Sequence, residues 1–278
     1  MSLLLDKITL PAEQPRVSRA RLLGGLNESL TCCNSTIVHG RTGAGKTLLA
    51  ADFAGRCGRR VAWYKVDAPE VDLQLFVRYL VAAVRTQHPG FGRKTLALLS
   101  SSATPGDDAV VVAESFVYEM TMLEASEPLL IVVDDLHLVY DADWLVPFFG
   151  RLLPLLPAET HMILVGRTLP PAPLWRMRSK QLLRVIDEAA LAFTLAEAES
   201  LYQSYGLPAK QAAQALAETW GRAAAIDALA RGGQTRAEER AATGQHIGVL
   251  IEGREPNAQS PPLRLVKSYA PKSSASTH

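Results

Sequence analysis

With 278 residues, 48% hydrophobic and 21% charged, the chain is long enough for one α/β domain with a sizeable core and a small appended domain. Its formal net charge of +1 makes no basic field that would argue for nucleic acid as a direct ligand, and no apolar run approaches the roughly 18 residues of a membrane span. Three cysteines, with Cys32 and Cys33 adjacent, give neither a disulfide framework nor metal-ligand spacing, and together with the lack of a basic leader they predict a reduced, cytoplasmic chain. Cys32 and Cys33 read as small apolar residues entering the first strand.

Short apolar runs alternate with amphipathic stretches, the pattern of a mostly parallel sheet covered on both faces. Five strands are expected: Ser35 to Val38, Val61 to Val66, Leu129 to Asp134, Met162 to Val165 and Leu182 to Ile186. Leu48 to Ala54 has strong helix formers. Leu73, Phe76, Val77, Leu80 and Val84 recur at helical spacing, and so do Val112, Ala113, Phe116, Met120 and Leu123. A Ser, Pro, Gly and Asp loop from Ser100 to Asp108 precedes the second of these stripes. Three prolines between Pro170 and Pro173 close the core after the fourth strand. Thr194 with Glu197 forms a capping box that starts a helix through about Tyr202, and two alanine-rich helices follow, about Ala209 to Glu218 and Arg222 to Arg231. Trp63 and Trp220 read as core or lid packing. The expected domains are an N-terminal extension over 1–16, a nucleotide-binding domain over 17–190, a helical lid over 191–232 and a disordered tail over 233–278.

Three strand ends carry the chemistry. Gly40, Arg41, Thr42, Gly43, Ala44, Gly45, Lys46 and Thr47 fit the phosphate-loop pattern G-x-x-x-x-G-K-[ST] at every fixed position, between a strand and a helix. Glycines at 40, 43 and 45 let the backbone curl so that successive N–H groups, through Leu48, face phosphate oxygens beside the helix N-terminus. Lys46 would reach the β- and γ-phosphates and Thr47 would ligate Mg²⁺. The run Leu129 to Val133 delivers Asp134 and Asp135, as a Walker B strand does; Asp134 would hold Mg²⁺ and Asp135 would orient the attacking water. Arg167 follows the fourth strand, at the end where ligands of open α/β sheets sit, and is either a γ-phosphate contact or a solvated arginine.

The order of these residues resembles the STAND nucleotide switches, and within them the ATP-binding half of maltose-regulon-activator-like, large LuxR-type transcription regulators. The resemblance covers about residues 7 to 231. Its carriers are Lys7-Ile8-Thr9-Leu10-Pro11, Val17-Ser18-Arg19 with Arg21-Leu22-Leu23, the phosphate loop, Gly58 to Trp63, Phe76 to Leu80, Asp134-Asp135-Leu136-His137-Leu138 and Gly166-Arg167-Thr168 with the proline cluster. It implies a P-loop NTPase three-layer sandwich with sheet order 5-1-4-3-2 plus a small helical lid. It also implies that Val17 and Arg19 lie against the adenine and that Arg167 senses the γ-phosphate. His137 belongs to the shared motif and is given no catalytic role. Ala223 stands where family members usually carry a proline packed near the base.

The function expected is an ATP/ADP switch with slow, Mg²⁺-dependent hydrolysis, self-associating when ATP is bound and acting on a regulatory protein partner. Aspartate at 135, shorter by a methylene than the glutamate of vigorous P-loop ATPases, is compatible with weak turnover. The family's sensor repeats and C-terminal helix-turn-helix have no counterpart before His278, so direct DNA binding is not expected, and the chain reads as a fragment, a natural truncation or a standalone switch. Two alternatives remain: an AAA-like remodelling ATPase, for which Arg151 is the sole candidate finger between the third and fourth strands, and a truncated pseudo-switch acting by binding a partner.

Overall fold

The computed structural model describes residues 4–101, 108–123, 127–180 and 182–252. In chain order the elements are α1 (Ala20–Cys32), β1 (Ser35–His39), α2 (Lys46–Ala54), β2 (Arg60–Lys65), α3 (Leu73–Arg85), α4 (Arg93–Ser101), α5 (Ala109–Thr121) and β3 (Leu129–Asp134). They continue as α6 (Leu145–Leu155), β4 (Thr160–Gly166), α7 (Ala172–Trp175), β5 (Leu183–Ile186), α8 (Glu188–Leu191), α9 (Leu195–Ser204), α10 (Lys210–Thr219) and α11 (Ala223–Glu252). Most of the expected loop before α5 lies outside the described residues, as does everything after Glu252.

All five strands pair in parallel, in the order β2-β3-β4-β1-β5. Read from the other edge this is the expected 5-1-4-3-2, with β4 inserted between the strand that feeds the phosphate loop and the strand that delivers Asp134. Register brings the strand ends level: Val38 lies opposite Val165 and Ile186, and Lys65 opposite Asp134. Alternation then splits the side chains between two cores. Ile131, Val133, Met162 and Leu164 face a large cluster with α3, α5 and α6, while Leu130, Val132, Ile163 and Val165 face a smaller one with α1 and α2. That gives the three-layer α/β sandwich. A third cluster, built from Ala198, Leu201, Tyr202, Ala212, Ile226 and neighbours, is the core of the helical lid.

Where structure and expectation differ, the cause is local. Helix α1 is not among the elements expected from the sequence; it runs through Gly24 and Gly25, residues of low helix propensity, and is held by its buried Leu22 and Leu26. At the start of α4, Glu119 of α5 serves as a cap from outside the helix, accepting from the Lys94 and Thr95 amides at 3.1 and 2.9 Å. In α6, Pro147 falls in the first turn, where no intrahelical donor is lost, whereas Pro154 removes the donor that would have paired with Gly150 O, and the helix ends one residue later at Leu155. The capping box is present, with Thr194 N donating to Glu197 Oε2 at 2.9 Å and Glu197 N to Thr194 Oγ1 at 3.3 Å.

Three readings need correction. The helix expected to end at Arg231 continues to Glu252, so residues 233–252 are not a disordered tail. Ala237-Glu238-Glu239-Arg240-Ala241-Ala242 are good helix formers and carry α11 past the glycine pair. By contacts, Met1–Gln234 form one compact unit and Thr235–His278 a second, whose described part is the remainder of that helix. Trp63 is core, but Trp220 is 88% exposed and left-handed (φ 55°) at the α10 C-cap. Cys32 does not enter β1; it closes α1 and is exposed, with Cys33 as the extended cap residue.

Candidate nucleotide site

β1 is buried along Ser35 to Val38 and ends where Gly40 N donates to Gly166 O of β4 at 3.3 Å, so the phosphate loop is anchored to the middle of the sheet. Gly43 and Gly45 both have φ of +82°, the left-handed turns that curl the loop, and Gly45 caps α2. Gly40 is not in that region, which corrects the curl argument for it. Its requirement is space, since a Cβ there would meet Leu191 and Glu188 at 3.2 and 3.3 Å. Arg41 is tied down by Glu188, which accepts from its amide at 3.0 Å and from its Nε at 2.5 Å.

Inside the loop, Lys46 Nζ donates to Gly40 O at 2.6 Å and Arg41 O at 3.1 Å. Burial lowers its pKa, opposed by the Asp134 and Asp135 carboxylates. Thr47 Oγ1 donates to Asp134 Oδ2 at 2.9 Å, and the Asp135 amide donates to Asp134 Oδ1 at 2.9 Å. Asp134 is 1% exposed; burial, reinforced by Asp135, pushes its carboxyl up to about 6 against those two hydrogen bonds. A hydroxyl and a carboxylate this close are hard oxygen donors suited to Mg²⁺, which takes few protein ligands and keeps waters. Among the described residues there is no cluster of three or more His, Cys, Asp or Glu fit to hold a metal, and a nucleotide-bound Mg²⁺ needs none.

Asp135 sits at φ 56°, ψ 27°, a left-handed conformation that aspartate tolerates better than most residues. The turn swings its side chain out of the strand direction and towards His137, whose Nδ1 lies 3.8 Å from Asp135 Oδ1. Both His137 ring nitrogens are buried without a hydrogen-bond partner among the described residues. Burial lowers its pKa, with Asp135 opposing and Arg167 and Lys46 assisting. His137 therefore shares the electrostatics of the site, a placement that its position after Asp134-Asp135 signalled but that carried no role in the sequence.

A cavity of about 470 Å³ brings together Val17, Thr42, Gly43, Gly45, Lys46, Thr47, Leu48, Asp135 and Arg167, a size within the usual range for small-molecule sites. Arg167 is exposed and faces this space. Arg41 and Ala44 instead line a separate cavity of about 310 Å³ with Trp220. Arg19 is 6% exposed, and its guanidinium donates to Leu191 O at 2.7 Å and Gly45 O at 3.2 Å, over the Phe193 ring. Burial lowers its pKa. It joins the loop to the start of the lid rather than presenting a free cation to the cavity. The lid completes the wall with Phe193, Leu201, Ala223, Ala224 and Asp227. Ala224 N donates to Gly43 O at 2.9 Å, and a Cβ on Gly45 would meet that of Ala223 at 3.2 Å. Nothing local in the sequence signals this contact, which joins residues far apart in the chain.

Residues 18–165 match the AAA ATPase domain family. The chain belongs to that family. As an AAA ATPase domain it is 30% identical over 202 residues to the HTH-type transcriptional regulator MalT of Serratia proteamaculans, a match covering 72% of this chain and 22% of that protein. It is 28% identical over 201 residues to the MalT regulator of Yersinia enterocolitica, with the same coverage. The chain thus spans about a fifth of the length of the curated relatives it matches. The fold is similar to that of a Signal Transduction ATPase with Numerous Domains (STAND) protein with a tetratricopeptide repeat sensor from Pyrococcus horikoshii. There the TM-score is 0.52 at 18% identity, over 77% of this chain and 30% of the other. The likeness to STAND proteins and MalT-type regulators read from the motifs is met by these matches. Among the described residues no helix is long and apolar enough to cross a membrane.

Proposed function

We propose that the chain is a Mg²⁺-dependent ATP/ADP-binding switch with slow hydrolysis, part of or derived from a bacterial transcription regulator and confined to the cytoplasm. The observation that supports a switch is the grip of the lid on the phosphate loop. Ala224 donates to Gly43 and Ala223 packs on Gly45, the two left-handed turns of that loop. Any change that a nucleotide makes in the loop is passed to α11 by direct contact. The loop amides from Gly43 to Leu48 and Lys46 would hold the phosphates, with the base towards Val17 and Phe193. Mg²⁺ bound by Thr47 and Asp134 would offset charge on the β- and γ-phosphates. Asp135 orients water, and Arg167 answers to the γ-phosphate. Arg19 holds loop and lid together and contacts the nucleotide only through that support.

Calorimetry tests the reading directly. Wild type is expected to bind Mg-ATP and Mg-ADP, and Lys46→Ala to lose both; unaltered binding by that variant removes the proposal. Ala224→Pro keeps a residue allowed in a first helical turn while deleting the N–H that grips Gly43. Its ATP/ADP affinity ratio should move by about tenfold, the ordinary size of a coupling between sites. A variant that binds both nucleotides as wild type does would leave a nucleotide site without a switch. The remodelling alternative is less well supported, because Arg151 already pairs with Glu114 at 2.7 Å. Turnover that climbs steeply with protein concentration would restore it.

A further inference from the structure

The sulfurs of Cys32 and Cys33 stand 3.2 Å apart at the corner where α1 ends and β1 begins. Helical backbone at Cys32 and extended backbone at Cys33 (φ −141°, ψ 156°) turn both side chains to the same side of the chain. The corner is held from three directions. Cys33 N donates to Ser29 O at 3.0 Å, Cys33 O accepts from His161 Nδ1 of β4 at 3.1 Å, and the Asn34 side chain donates from Nδ2 to Leu153 O at 3.3 Å. The two thiols are therefore preorganised on a rigid frame, and the Cys32 side is exposed.

We propose that Cys32 and Cys33 form a dithiol site for a trivalent arsenical. The pair lies at the amino ends of the strands, away from the phosphate loop, so this site is independent of the nucleotide reading. A disulfide is a poor fate for neighbouring cysteines. Their Cα atoms are held about 3.8 Å apart, below the usual 4.4–6.8 Å for a bridge, so closure is strained. Burial and the contact with Cys32 push the Cys33 thiol up to about 11, which disfavours its thiolate towards oxidant and arsenical alike, so the short Cα separation is what decides against the bridge. A zinc-type site is no better served, because no third His, Cys, Asp or Glu joins the pair in a metal-binding group among the described residues. Arsenic(III) is soft and pyramidal, and its two thiolate arms converge at a narrow angle, which suits a short sulfur-to-sulfur bite. With an aryl arsenoxide the step balances. Two As–S bonds form, the As=O bond is lost, and the two thiol protons leave with that oxygen as water.

The test is a titration with phenylarsine oxide, following free thiols and intact mass. Wild type and Cys57→Ser should each lose two thiols per arsenical, with one aryl arsenic added and water lost. In Cys32→Ser and Cys33→Ser the single remaining thiol of the pair should hold the arsenical about 100-fold more weakly, the advantage that a second tethered arm confers. The adduct should resist a monothiol and yield to a dithiol competitor. An unchanged circular-dichroism spectrum and thermal midpoint in the serine variants verify that they are folded, whatever the outcome for nucleotide binding. Equal arsenical affinity in all four proteins, or an adduct that maps to Cys57, would overturn the assignment.

Discussion

The two faces of the sheet are built to different ends. On one, Phe76 contacts the rings of Tyr64, Trp144, Phe148 and Phe149 at centroid separations of 4.7 to 6.1 Å, and all five side chains are buried. At the phosphate-loop end, on the other side, a buried carboxylate sits beside a second carboxylate, a lysine donates only to carbonyls, and Asp135 is left-handed. Aromatic packing stabilises the chain, and the loop end holds groups that lower stability in return for chemistry. The largest effect should come from breaking the first region. Phe76→Ala is expected to cost about 3–5 kcal/mol in denaturant unfolding, the usual range for deleting a buried aromatic ring. Lys46→Ala should do the reverse, leaving stability within about 1 kcal/mol while weakening Mg-ATP roughly 100-fold, near 3 kcal/mol. If Phe76→Ala were mild and Lys46→Ala unfolded the chain, this division of labour would be wrong.

A third group lies between the regions. His161 on β4 is 1% exposed and donates from Nδ1 to Cys33 O, with Nε2 3.0 Å from the Thr36 hydroxyl. Burial, with Arg59 assisting and the Cys33 carbonyl opposing, lowers its pKa from 6.5 to about 4. As pH falls below 6.5 the unfolded chain takes up a proton that the folded chain refuses until about pH 4. This contribution to stability is therefore whole above neutrality and is lost on acidification, by roughly 2 kcal/mol at pH 5. Asp134, raised to about 6, titrates in the same range with the opposite sign. Comparing wild type with His161→Gln cancels Asp134 and isolates the histidine. The variant should start less stable at pH 7 and converge on wild type by pH 5; parallel curves would mean that His161 does not titrate as its burial requires.

The same contrast explains what could be read before the structure. Strands and phosphate loop were legible because β-branched runs and a fixed glycine spacing are local signals, and the motif order carried the sheet order with it. Helices α1, α4 and α6 were not, because internal glycines in the first, a cap supplied from Glu119 in the second and two prolines in the third weaken or remove the local helix signals. At the site, Lys46, Thr47, Asp134 and Asp135 could be named from strand ends. The roles of Arg19, Phe193 and Ala224 depend on contacts across the fold, from Arg19 to Leu191 and from Gly43 to Ala224, for which no spacing rule exists. Trp220 misled for a related reason. Tryptophan is commonly packed, but here the αL cap position holds it in solvent.

The smallest expected effect is the most discriminating. If the turn at Asp135 is strain retained for chemistry, relieving it should stabilise the protein. Asp135→Gly removes the Cβ that makes φ 56° unfavourable, and it also removes a carboxylate that raises the pKa of Asp134. Against this stands the extra chain entropy that glycine brings to the unfolded state, of order 0.5–1 kcal/mol. The left-handed penalty of roughly 1–2 kcal/mol outweighs that cost by a small margin, so the variant should match or exceed wild type by up to about 1 kcal/mol while ATP hydrolysis is lost and Mg-ATP binding persists. Asp135→Asn separates the two causes, since asparagine also tolerates the turn but carries no charge. If only the glycine variant gains stability, the backbone is the reservoir; if both gain equally, the carboxylate pair is. A loss in both would make Asp135 a structural residue and place the strain elsewhere.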